Sequence, residues 1–321
     1  MITPSFPQPS RRSVVASAAL TLLSSALPAT SSRAFSGRVK RSPSDMSALA
    51  WMLADAVSGD VLAAWHPHHQ LAPASTLKTL FALTVMPHLD ADAIHTVSSS
   101  DLDSVPSGSS VVGLEVGAWY SIDELWSGVF LRSGNDAVRV LASLNGGWAE
   151  TAAQMEDCAT ALGAESTSVI SPDGFDAAGQ VSTAHDLTVF GRAGLARADF
   201  LRNCGTKTAM FPSSEGRDGY ITIVNTNRLL SGTYGVTPYP GIIGIKNGYT
   251  SRAGNTLIAA ARLGGRTLIA TVMNPQSGLP NAVYEEARSL LDWGFELPTD
   301  AEAISSLPSL PTDAALVRAT P

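Results

Sequence analysis

The chain has 321 residues, a formal net charge of −7 and no basic stripe, which argues against a nucleic-acid partner. After the first 34 residues no apolar run is long enough to cross a bilayer, so no transmembrane helix is expected in the mature chain. Two cysteines, Cys158 and Cys204, leave one disulfide open, because sequence does not say whether their Cα atoms come within bridging distance.

Residues 1–34 read as an export signal. Arg11 and Arg12 give a positive start, Val14 to Leu27 is apolar and uncharged, and Ser32-Arg33-Ala34 places small residues around a cleavage site. The pattern favours the general secretory route over a twin-arginine one. Residues 35–44, polar and basic, read as a linker. Apolar runs at 48–55 and 61–65 flank the turn Ser58-Gly59-Asp60, a β-hairpin pattern. His66-Pro67-His68-His69 follows with no second group at ligand spacing, so it reads as a solvated loop and no metal is expected. Pro73 to Lys78 then leads into an apolar helix from Thr79 to Met86.

Residues 97–116 are rich in Ser, Gly and Asp. Ser121 and Glu124 form a capping-box pattern that opens the amphipathic run Leu125 to Leu131. Two further helices are expected over 135–144 and 148–162, the second closed by Gly163. Ser171 to Gly174 reads as a turn, and another helix is expected from Ser182 to about Leu195. Strand patterns return at 220–224, 242–246, 255–261 and 266–273. A last helix over 281–294 carries Ala287, Leu290, Leu291 and Trp293 on a 3.6-residue period. This order predicts an α+β domain over 45–297. Residues 45–88 and 205–297 would build an antiparallel sheet lobe, residues 89–204 an inserted, mainly helical lobe, and a cleft would lie between them. Residues 298–321 read as a tail without a sustained apolar face.

Ser75 and Lys78 are three apart, so in a first helical turn they share one face. A serine hydroxyl needs a base to become a nucleophile, and a lysine whose pKa is depressed can be that base. Only four lysines occur, Lys40, Lys78, Lys207 and Lys246, against 17 arginines. A chain that avoids lysine keeps it where arginine, which does not deprotonate, cannot serve. Ser133-Gly134-Asn135 and Lys246-Asn247-Gly248 each read singly as ordinary turns. Their order and spacing after Ser75-Thr76-Leu77-Lys78 give them a different weight.

That order resembles the motifs of the penicillin-binding proteins and serine β-lactamases. The surrounding phrases resemble the D-alanyl-D-alanine carboxypeptidases, the low-molecular-weight penicillin-binding proteins. They include Pro73-Ala74-Ser75-Thr76-Leu77-Lys78, Ser133-Gly134-Asn135-Asp136-Ala137, Ser182-Thr183-Ala184-His185-Asp186-Leu187 and Asn225-Thr226-Asn227-Arg228-Leu229-Leu230. Gly248-Tyr249-Thr250-Ser251-Arg252-Ala253-Gly254 and Leu291-Asp292-Trp293-Gly294-Phe295 complete the likeness, which covers about residues 45–297.

The resemblance implies a penicillin-binding-protein fold and a serine peptidase needing no cofactor. Ser75 would attack the carbonyl between the last two D-alanines of a peptidoglycan stem peptide, and β-lactams would acylate the same serine. Lys78 would be its base, Ser133 and Lys246 would carry the proton to the leaving amine, and Asn135 would hold Lys78 and the substrate backbone. The backbone N–H groups of Ser75 and Tyr249 would form the oxyanion hole, with Asn247, Gly248 and Thr250 binding substrate. The chain departs from the pattern twice. Asn247 stands where the family has threonine, and Asn281-Ala282-Val283-Tyr284 lacks the arginine that many members carry for the substrate carboxylate. Arg252 is the expected substitute. A class A β-lactamase would need a glutamate-based water site where this chain reads Ser171-Pro172-Asp173-Gly174-Phe175-Asp176, which fits the carboxypeptidases instead. A non-catalytic wall-binding module on the same fold is the remaining alternative. The expected location is the outer face of the membrane or the cell wall, with any attachment through the N-terminal segment.

Overall fold

The computed structural model describes residues 45–311, so the expected export signal, the linker and the last ten residues of the tail lie outside it. The first hairpin is β1 (Ala48–Asp55) and β2 (Asp60–Trp65). A 3-10 turn over Ala74–Leu77 runs directly into α1 (Lys78–Val85). Then come β3 (Ile94–Thr96), α2 (Ser99–Leu102) and β4 (Trp119–Ser121). The helical stretch holds α3 (Ile122–Leu131), α4 (Asn135–Leu144), α5 (Trp148–Ala161), α6 (Ala184–Leu195) and α7 (Ala198–Gly205). After it follow β5 (Thr208–Arg217), β6 (Tyr220–Val224) and α8 (Arg228–Ser231). The chain closes with β7 (Ile242–Thr250), β8 (Gly254–Leu263), β9 (Arg266–Pro275), α9 (Ala282–Glu296) and β10 (Ser305–Ser306).

One antiparallel sheet, ordered β10-β2-β1-β9-β8-β7, joins the two ends of the chain. Its central strands are apolar on both faces because both faces are covered. Side chains alternate across a strand, so Ala50, Met52 and Ala54 of β1 enter one core while Trp51 and Leu53 enter another. The first core contains Leu80 and Phe81 of α1, Leu187 and Phe190 of α6, and the apolar residues of α3 to α5. The second is closed by Val283, Tyr284, Ala287, Leu290 and Leu291 of α9. A Cβ on Gly294 would stand 2.6 Å from Leu53 Cδ2 and 2.7 Å from Leu268 Cδ1, so the bare glycine lets the helix lie close against the sheet without displacing either leucine.

The local signals match the elements closely. The Ser121–Glu124 capping box is formed in both directions, and Gly163 follows α5 at φ +75°. β3, α2, β4, β5 and α8 lie where the sequence predicts no element. β6, expected in the main sheet, pairs with β5 instead, as a separate ribbon with an irregularity between Pro212 and Arg217. The ribbon is held by Phe211, stacked on Tyr120 with ring centroids 5.5 Å apart, on the side of the first core. α7 also escaped prediction. Part of the tail is structured: β10 pairs with β2, and the Arg192 guanidinium donates to the carbonyls of Ala56, Val57 and Pro308. Cys158 and Cys204 are both buried free thiols. Among the described residues no helix is long and apolar enough to cross a membrane.

Candidate active site

Ser75 sits in the 3-10 turn that feeds α1, so Lys78, the first residue of the helix, lies one turn above it. Lys78 Nζ is 2.9 Å from Ser75 Oγ, and also donates to Asn135 Oδ1 (2.7 Å) and to the Asp173 carbonyl (2.6 Å). The turn is gripped from several sides. Thr76 and Thr256 hydroxyls both donate to the Pro73 carbonyl, at 2.5 and 2.9 Å. Ala74 is held at φ +51°, unfavourable for a residue with a Cβ. A Cβ on Gly174 would lie 2.1 Å from the Ala74 carbonyl oxygen, and one on Gly248 would lie 2.7 Å from the Ser75 nitrogen. The loop around Gly174 and strand β7 thus touch the turn through bare backbone.

Ser133 and Asn135 stand at the junction of α3 and α4. Ser133 adopts φ +59°, and its Oγ lies 3.0 Å from Lys246 Nζ on β7. Asn135 opens α4, its amide donating to the Ser110 carbonyl at 2.8 Å. Asp136, which the sequence reading passed over as part of the same phrase, secures this junction. Its carboxylate accepts the amides of Val112 (3.0 Å), Gly113 (2.8 Å), Leu114 (3.0 Å) and Ala137 (2.9 Å). Lys246 also donates to the Asn247 carbonyl at 2.8 Å. The expected catalytic residues form two hydrogen-bonded groups, Ser75–Lys78–Asn135 and Ser133–Lys246, close enough for Lys246 to feel the Lys78 charge. Lys78 and Lys246 are fully buried there, whereas Ser75 is partly exposed.

The remaining residues lie along β7 and its hairpin. Asn247 Oδ1 accepts the Thr226 hydroxyl (3.0 Å), and Tyr284, in the stretch that lacks an arginine, donates to the Thr226 carbonyl (3.3 Å). Tyr249 is 67% exposed. Thr250 Oγ1 donates to Asp176 Oδ1 (2.7 Å), and the Arg252 amide donates to Asp176 Oδ2 (3.1 Å). The exposed Arg252 guanidinium reaches the Ala177 carbonyl at 3.3 Å, at the rim and apart from the lysine cluster. Among the described residues no three His, Cys, Asp or Glu side chains come together as a metal site.

A profile of the peptidase S11 family, described as D-alanyl-D-alanine carboxypeptidase, matches residues 38–277. The chain belongs to the D-alanyl-D-alanine carboxypeptidase family. It is 38% identical over 261 residues to a D-alanyl-D-alanine carboxypeptidase of Mycobacterium tuberculosis, covering 80% of this chain and 85% of that relative. An Escherichia coli D-alanyl-D-alanine carboxypeptidase is 33% identical over 265 residues, 78% of this chain but only 64% of the relative's length. Among solved structures, a penicillin-binding protein homologue from Mycobacterium tuberculosis superposes with a TM-score of 0.74 at 38% identity, covering 82% of this chain and 96% of that one. The Streptomyces K15 DD-transpeptidase gives 0.71 at 29% identity, covering 80% of this chain and 99% of that one.

The carboxypeptidase-family cleft is electrostatically unusual because two lysines share it. Burial lowers the Lys78 pKa to about 8, with the negative charges of Asp173 and Asp136 pulling the other way. Burial also takes Lys246 well below the ordinary lysine range, and the Lys78 charge pushes it further down. A hydroxyl within hydrogen-bonding reach of an amine that can shed its proton near neutral pH is the arrangement for nucleophilic attack. Ser133 and Lys246 form a second hydroxyl–lysine pair, 3.0 Å apart. In the sequence Asp173 and Gly174 read as a turn, within a stretch that resembles the carboxypeptidases, and neither stands out as a site residue. A carbonyl bond to Lys78 and a close backbone approach leave no mark in residue type beyond the glycine itself.

Proposed function

We propose that this chain is a serine-type carboxypeptidase that removes the terminal D-alanine of peptidoglycan stem peptides and is acylated by β-lactams. The observation that carries the reading is the 2.9 Å contact between Lys78 Nζ and Ser75 Oγ inside a buried lysine pair. Neutral Lys78 takes the Ser75 proton as Oγ attacks the carbonyl between the last two D-alanines. The backbone N–H groups of Ser75 and Tyr249 stabilise the charge that develops on the carbonyl oxygen. Ser133, in contact with Lys246, passes a proton to the amine of the departing D-alanine. Lys78 passes the proton it took to Ser133, replacing the one given to the amine, and is neutral again. It then takes a proton from the entering water as that water attacks the acyl carbon, and delivers it to Ser75 Oγ as the tetrapeptide leaves. Asn135 holds Lys78 in place, while Asn247, Gly248, Tyr249 and Thr250 line the strand along which the substrate backbone lies. Arg252 meets the substrate's terminal carboxylate from the rim. Residues 1–34 direct export, so the enzyme works on the outer side of the membrane.

The test is an intact-mass spectrum of residues 35–321 after brief exposure to benzylpenicillin, beside Ser75→Ala. One stable adduct on the wild type and none on the variant is the expected result. Absence of an adduct with the antibiotic intact would point to a wall-binding module. Absence of an adduct with the antibiotic hydrolysed would point to a β-lactamase.

A further inference from the structure

One fully buried carboxylate that this mechanism does not use is the Asp173 side chain. It lies beside the catalytic lysine. Its Oδ1 accepts the Ser171 hydroxyl (2.5 Å) and the Phe175 amide (2.9 Å), but its equally buried Oδ2 has no hydrogen-bond partner. A buried carboxylate oxygen without a donor is costly unless positive charge stands nearby. Two cations act on it. Lys78 is anchored to the Asp173 carbonyl and feels its charge more strongly than that of Asp136. Arg139 of α4, one turn beyond Asn135, also feels the Asp173 charge, and its Nε is likewise buried without a hydrogen bond. The Arg139 guanidinium lies 3.4 Å over the Trp148 ring, which fixes its position.

The other charged neighbours of Lys78 are occupied or opposed. Asp136, from α4, has its oxygens taken up by backbone amides. Lys246, from β7, is a like charge. Ser75 and Asn135 are neutral partners. Asp173 is therefore the carboxylate whose field on Lys78 is least spent on hydrogen bonds.

We propose that Asp173 is a positioning residue for Lys78: its carbonyl anchors the amine beside Ser75, and its buried carboxylate, shared with Arg139, is the charge against which Lys78 is balanced. The proposal rests on the reading of Ser75 and Lys78 given above. It assigns to the Ser171–Asp176 loop an electrostatic task in addition to its steric one. Without the carboxylate, Lys78 sheds its proton more readily but becomes a weaker base. Without Arg139, the carboxylate acts on Lys78 undiluted and holds the proton more tightly.

The chain has only four lysines, so 13C-labelled lysine side chains can be titrated individually by NMR in the full-length protein, with Lys40→Arg and Lys207→Arg assigning the other two. In Asp173→Asn the Lys78 midpoint is expected to fall by about one pH unit or more. In Arg139→Gln it is expected to rise. The acid limb of benzylpenicillin acylation should move in the same two directions. If Lys78 titrates at the wild-type pH in either folded variant, the proposal is overturned; the opposite sense of the two shifts guards against a loss of fold in one of them. Failure of the wild type to form a Ser75 adduct would instead sink the underlying function while leaving the titration result to stand.

Discussion

Lys78 and Lys246 are buried together, and each keeps a hydroxyl within about hydrogen-bond range, so proton affinity is the property that decides what they do. Lys78 acts as a base only when neutral, and its pKa is lowered to about 8. Acylation by benzylpenicillin should therefore rise with pH up to about 8 and then level off, as stopped-flow acylation rates will show. The same burial has a stability consequence of definite sign. The folded-state value lies below the unfolded one, so between about 8 and 10.5 the unfolded chain binds more protons and stability increases with pH. Chemical denaturation across that range should show the wild type gaining about 3 kcal/mol relative to Lys78→Met. Arg252 belongs to this scale too. If it meets the substrate carboxylate, Arg252→Ala raises KM for a D-Ala-D-Ala peptide about tenfold, measured by D-alanine release. An unchanged KM and kcat would remove it from recognition.

At the level of elements, the reactive serine is placed by a short turn held between two stretches of bare backbone. Gly174 has φ +80°, and its α-carbon faces the Ala74 carbonyl so closely that a methyl group would overlap it. Gly174→Ala must push the 171–176 loop away from the Ser75 turn and carry the Asp173 carbonyl off Lys78 with it. The expected cost is about 1–3 kcal/mol in stability and about a hundredfold in acylation rate, because a displacement near 1 Å is enough for that. Thermal melting and penicillin acylation kinetics measure the two effects separately. A variant that melts lower but acylates normally would show that the loop does not position the lysine. The helix beginnings were legible because caps are local: Ser121 and Glu124 are three residues apart and satisfy each other's amides. The loop's grip on the turn was not legible, because Gly174 signals a turn equally well with or without a neighbour beneath it.

Across the molecule the sheet separates two tasks. Ser75 and α1 lie with the helices on one face, and α9 seals the other face with Ala287, Leu290 and Leu291. Leu290→Ala should cost about 2–5 kcal/mol through the cavity it leaves. It should lower Tm while leaving the acylation rate of the folded protein unchanged. A slowed acylation at a temperature where the variant is fully folded would mean that the α9 face and the cleft are coupled.

Residue order alone determined the local parts of this protein. The hairpin, the caps and the 3.6-residue stripe of the last helix depend on neighbours within a few positions, and side-chain chemistry at that range is written in the sequence. The phrases around Ser75, Ser133 and Lys246 stand out only through their order along the chain, which resembles that of the family. The scarcity of lysine marked Lys78 and Lys246 for the same reason: residue type limits what a group can do with a proton. Tertiary structure decided the rest. It paired β6 with β5 outside the main sheet and tied Arg252 to the 171–177 loop at the rim. It also set the Asp173 carbonyl and carboxylate beside Lys78. These contacts join segments far apart in the chain. They depend on which apolar faces close over one another, a property of the assembled cores that no single stretch carries.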